Sequence, residues 1–144
     1  KLKDIIANSE KMAIINMINT INDYAARYLE LFFTENPITV RLELIKTEKT
    51  EKETIGIIIY YKDMEADISI LSGGELQRVV IAFNLALAEI YSVPLVLLDE
   101  CTSNLDQELT ETVIKGIKYT NQNKSVILIA HQVVSGIFDN IISI

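Results

Sequence analysis

The chain has 144 residues, with 49% apolar and 23% charged side chains, so it can bury the core of one domain or part of one and is not a disordered acidic tail. Thirteen basic residues against 20 acidic ones give a net charge of −7, and the imbalance is uneven: residues 1–63 carry nine and ten, residues 64–144 four and ten. Neutralising phosphates takes a basic face, so the charge argues against a stand-alone nucleic-acid binder and against the second half as a main DNA contact.

Residues 1–35 contain neither Pro nor Gly and read as one helix. Ile14, Ile18, Ile21, Ala25, Tyr28 and Phe32 follow the 4-3-4-3-4 spacing of an a/d seam. Ile15, Met17, Leu29 and Phe33 widen that seam into the stripe of a helix packed on a globular body, while Lys11 and Ala7 continue the frame upstream with weaker residues. Both a coiled coil and a core-facing helix fit, the second better for the later half. Asn36–Pro37 then ends the helix.

Two strands follow, Thr39–Ile45 with imperfect alternation and the β-branched, aromatic run Thr54–Tyr61. The charged stretch Thr47–Glu53 between them predicts a hairpin with a solvated turn. Beyond it the pattern alternates. A helix follows Gly74 and runs to about Tyr91, then a strand Val93–Leu98, a helix from about Asp106 to Tyr119, a strand Ser125–Ala130, a short helix and a last strand Asn140–Ile144. Wholly apolar strands such as Leu95–Leu98 and Val126–Ile129 suit a parallel sheet buried on both faces.

Chemistry is concentrated at four places in this second half. Leu71-Ser72-Gly73-Gly74-Glu75 precedes a helix, where adjacent glycines let backbone N–H groups approach an anion. Ser72 as a plain helix cap explains that turn about as well. Val93–Leu98 delivers Asp99 and Glu100 to the C-terminal end of an apolar strand, the edge at which open α/β sheets bind ligands. Paired carboxylates there are costly unless they meet a cation or take part in catalysis, and strand alternation lets one serve Mg²⁺ and the other an attacking water. Ser103-Asn104-Leu105-Asp106 caps the next helix. His131, the only histidine, follows another apolar strand at the same edge. Cys101, the only cysteine, excludes an internal disulfide and is read as a small buried residue after a strand.

The order LSGGE, VPLVLLDE, SNLD and AHQ resembles the C-terminal lobe of an ABC-type ATPase head, over Ile70–Gln132. Glu75 in the signature and the long preceding helix are similar to the SMC and SbcC-like double-strand-break repair ATPases. Gln132 after His131 departs from the usual acidic neighbour. The resemblance implies an α/β fold: half of a P-loop NTPase, with a mostly parallel sheet, flanking helices, a coiled-coil-derived N-terminal helix and a β-hairpin. It divides the chain into 1–35, the end of a coiled coil entering the head, and 36–144, the lobe carrying the signature motif, Walker B, D-loop and H-loop.

The same resemblance implies that Ser72, Gly73 and Gly74, with Glu75 in the signature, grip the γ-phosphate of ATP held by an opposing head. Asp99 would hold Mg²⁺ through water and Glu100 would polarise the attacking water. Asp106 would lie in the loop crossing the head–head interface, and His131 would sense the γ-phosphate. Phosphoryl transfer is mostly positioning and charge stabilisation, which these groups suffice to supply.

These residues contain no G-x-x-x-x-G-K-[ST] phosphate loop. The chain is therefore expected to need an N-terminal lobe with Walker A, to be inactive alone, and to pair with a second head. DNA would be met through the whole complex, with a nuclease subunit as a further possible partner. The chain opens on Lys1 without a signal peptide and has no apolar run of the roughly 18–20 residues a membrane span needs, so an excised piece of an intracellular protein is expected, cytoplasmic in a prokaryote or nuclear in a eukaryote. The alternative, a transporter's nucleotide-binding half-domain, leaves the a/d seam unexplained. A non-catalytic module predicts a degraded acidic pair, and Asp99–Glu100 is intact.

Overall fold

The computed structural model describes residues 2–46, 53–61, 64–130, 134 and 136–142. The first helix, α1, spans Leu2–Phe32 and stops three residues short of the expected end. Its later half buries Ile18, Ile21, Asn22, Ala25, Tyr28, Leu29 and Phe32, the predicted stripe with Asn22 added. Its earlier half leaves Leu2, Ile5, Ile6, Met12, Ile14 and Met17 exposed. Burial thus begins at Ile18, where the helix meets the body of the fold.

Strand β1, Ile38–Lys46, pairs antiparallel with β2, Glu53–Tyr61, in a register running from Ile38 opposite Tyr61 to Lys46 opposite Glu53. The hairpin is as predicted, and its turn at 47–52 lies outside the described residues. A short third strand, β3, Met64–Ala66, adds to the far edge of β2. Val40 and Ile59 face each other across the ladder and pack under α1. At the free edge of β1, Asn22 reaches over from α1. Its side-chain oxygen accepts from the Leu42 N–H at 2.8 Å and its amide donates to the Leu42 carbonyl at 2.9 Å.

Helix α2, Gly73–Ile90, buries Val79, Ile81, Ala82, Leu85 and Ala86 and packs along α1. Strand β4, Leu95–Asp99, pairs in parallel with β5, Ser125–Ile129, and α3, Gln107–Thr120, connects them. One core joins Phe32, Val40, Ile59, Leu85, Val96, Leu98, Val113 and Ile117. No described helix is long and apolar enough to cross a membrane.

Two expectations need revision. Among the described residues the parallel sheet has two strands, and only one of its faces is covered: Val96 and Leu98 are buried, whereas Leu97 is 66% and Ile129 58% exposed, with Leu95 and Ile127 beside them. An apolar strand reads the same whether its second face is covered by its own chain or by another. The last strand does not form over Asn140–Ile142, while residues 143–144, and His131–Val133 within the region of the expected short helix, lie outside the described residues.

Gly116, in mid-α3, shows how tightly this core closes. A Cβ there would stand 2.9 Å from a ring carbon of Phe32 and 3.5 Å from the Leu31 Cβ. Phe32 is almost wholly buried and has little room to move. Helix propensity alone favours Gly→Ala by about 1 kcal/mol. Overpacking opposes it by about 1–3 kcal/mol. Gly116→Ala is therefore expected to destabilise in equilibrium denaturant unfolding, and a gain in stability would show that the α1–α3 contact is loose.

Candidate functional site

The site is built on the N-terminus of α2. Ser72 adopts an extended conformation, and its hydroxyl accepts from the Glu75 N–H at 3.3 Å. The Glu75 carboxylate reaches back to the Ser72 N–H and hydroxyl, both at 2.8 Å. This is a complete capping box, so the helix-cap reading of Ser72 holds in this structure. The Ser72 backbone and side-chain hydrogen bonds hold the Glu75 carboxyl below the usual carboxylate range. Gly73 faces open space, whereas Gly74 is enclosed: a Cβ there would meet the Asn104 carbonyl at 3.0 Å.

That contact joins the turn to the loop after β4. Asn104 also donates its side-chain amide to the Gln77 side chain at 2.8 Å. Asp99 ends β4 and is exposed. Glu100 follows with φ of +45°, a left-handed conformation costing a non-glycine residue about 1 kcal/mol or more, and such strain gathers at functional sites. Its N–H is held by the Ile129 carbonyl of β5 at 2.9 Å, and its own carbonyl accepts from Ser103 N–H at 3.1 Å. Asp106 caps α3, accepting from the Leu109 N–H at 2.8 Å. Three of the four predicted elements therefore share one corner, linked through Gly74, Asn104 and the Glu100–Asp106 loop. His131 and Gln132 lie outside the described residues.

Asp99 presents the hard oxygen donor that Mg²⁺ takes, and among the described residues no group of three or more acidic, His or Cys side chains forms a complete cage. Asp99 would therefore fit as a single ligand to a cation completed by other donors. Cys101 is buried, and burial pushes its thiol up to about 11, as a structural cysteine requires.

No family model matches the sequence. The chain is 38% identical over 155 residues to uncharacterized protein 050L of Invertebrate iridescent virus 6, covering 99% of this chain and 15% of that protein. It is 31% identical over 120 residues to the DNA double-strand break repair Rad50 ATPase of Archaeoglobus fulgidus, covering 81% of this chain and 13% of that protein. The solved SMC head domain from Thermotoga maritima superposes with a TM-score of 0.60 at 28% identity, over 86% of this chain and 42% of that one. The fold is that of the C-terminal lobe of an SMC-like ABC-type ATPase head. The lobe spans about one seventh of the length of the two curated relatives.

Sequence reasoning missed the residue that ties this lobe's corner to its long helix. Arg78, one turn into α2, is buried, and its charge is spent on backbone and ring partners around the end of α1. The available signal was its isolation, since no other Lys or Arg occurs between Lys62 and Lys115.

Proposed function

We propose that this chain is the C-terminal half of an ATP-hydrolysing head of an SMC-like DNA repair or chromosome-organising machine, acting when two heads close around ATP. The observation that carries this reading is the shared corner: the Ser72–Glu75 turn stands against the loop that leaves the Asp99–Glu100 strand end. Ser72 and the open backbone at Gly73 would meet the γ-phosphate of ATP bound to the opposing head, where a helix N-terminus favours negative charge. Asp99 would hold Mg²⁺ through water, which shields the phosphate charge. Glu100 would orient and polarise the attacking water, Asp106 would lie along the head–head interface, and His131 would contact the γ-phosphate.

The uncovered face of β4 and β5 supports an N-terminal lobe as partner. Leu95, Leu97, Ile127 and Ile129 form a contiguous apolar strip, and a strip of that kind on a strand pair marks a surface that another element covers. The exposed first half of α1, with Leu2, Ile5, Ile6 and Met12, supports a coiled-coil continuation, which a transporter half-domain does not supply. DNA and a nuclease subunit would be engaged through the assembled complex, because a net charge of −7 disfavours phosphate binding by this lobe alone.

The test is reconstitution. The chain alone is expected neither to bind ATP tightly nor to hydrolyse it, and mixing with the matching Walker A lobe is expected to restore both. Measurable turnover by the chain alone would overturn the split-head reading.

A further inference from the structure

The Arg78 guanidinium is enclosed on three sides by groups from two elements. Its Nη1 donates to the Phe32 carbonyl at 2.7 Å, its Cζ lies 3.9 Å from the centroid of the Phe33 ring, and its Nε donates to the Gly74 carbonyl at 3.3 Å. Phe32 is the last residue of α1, whose terminal carbonyls have no partner within the helix and carry partial negative charge. Gly74 is one of the two glycines of the turn described above, and the Asn104 carbonyl lies where its Cβ would point, so only glycine fits without a shift. Burial lowers the Arg78 pKa, and the charges of Glu75 and Asp106 act against that shift. A planar fork can meet two carbonyls in fixed directions while stacking on an aromatic face, whereas the compact ammonium of a lysine has donors but no plane to stack and no fixed fork.

We propose that Arg78 is a positioning residue that clamps the phosphate-facing turn of α2 to the end of the long helix, so that a displacement of α1 reaches Gly73 and Gly74 directly. Its effect on catalysis rests on the two-head reading above. The clamp itself does not. Arg78 touches no nucleotide in this scheme and acts through the Gly74 backbone.

Hydrogen–deuterium exchange on the complete two-lobe protein separates these two levels, with the parent compared against Arg78→Lys and Phe33→Leu. Arg78→Lys is expected to speed exchange of the amides from Ser72 to Leu76 by about tenfold or more, the scale of one lost charge-assisted hydrogen bond. Amides around Leu85, deeper in α2, are expected to exchange at the parent rate. Phe33→Leu removes the ring face alone and should fall between the two. The ATP concentration for half-maximal head association should rise similarly in Arg78→Lys, with ATP affinity of separate heads unchanged. Exchange equal to the parent's, or acceleration spread evenly along α2, would overturn the clamp. A parent whose heads never associate on ATP would overturn the two-head reading instead, and the exchange data would still decide the role of Arg78.

Discussion

Ser72→Arg in the assembled two-lobe protein is expected to abolish ATP-driven head association while each head still binds ATP. The substitution acts at two levels. Locally it removes the hydroxyl that both accepts from the Glu75 N–H and donates to the Glu75 carboxylate, dismantling the capping box. Loss of an N-cap of this kind costs about 0.5–2 kcal/mol, which a thermal melt will register. At the proposed interface it puts a long cation where a small hydroxyl and a phosphate oxygen must meet, and it crowds the open side of Gly73. Light scattering with and without ATP reads the second effect separately from the first. If Ser72 were only a cap, the melt would shift and association would survive. A Ser72→Arg head that associates on ATP would remove the main reason for reading the turn as a signature.

The second large effect is expected at Glu100. Glu100→Gln in the assembled head should leave ATP binding intact and slow single-turnover hydrolysis by about 10²–10⁴-fold, the range for loss of a general acid–base group. The substitution suits the site because Gln matches Glu in shape and fits the left-handed backbone no worse, so the strain at φ of +45° is unchanged. The Ile129 carbonyl still receives the residue's N–H, and the loop to Asp106 keeps its course. What disappears is the negative charge proposed to polarise the attacking water. ATP-bound dimers should therefore accumulate. Hydrolysis at the parent rate would reassign the water-orienting task to another group.

Much of this fold is legible because its local and tertiary signals agree. The stripe from Ile18 to Phe32 marks the buried face of α1, the charged stretch between two β-rich runs gives the hairpin, and Ser72 with Glu75 gives the start of α2 to within two residues. Reading failed where a signal depends on something distant. Arg78 meets Phe32 across 46 residues, and no local pattern encodes that contact. Gly116 resembles a weak point in a helix until Phe32 is seen against it. The strip from Leu95 to Ile129 has the composition of an interior strand pair, and composition cannot say whose residues cover its outer face. At the site, the four motifs were visible as residue types, but the meeting of Gly74 with Asn104 required the fold.

The amide of Asn22 grips both backbone groups of Leu42 at once, standing in for a neighbouring strand at that point of the β1 edge. Two opposed hydrogen bonds from one planar group resist roll of α1 about its own axis, because any roll swings donor and acceptor out of line together. Bending meets less resistance before Ile18, where the helix buries almost nothing and only the exposed Lys11–Glu53 ion pair is described between it and β2. The base of α1 is thus stiff in torsion and soft in flexion. A load arriving along the helix would be delivered to the hairpin and α2 as twist, while its tilt would be taken up by bending before Ile18.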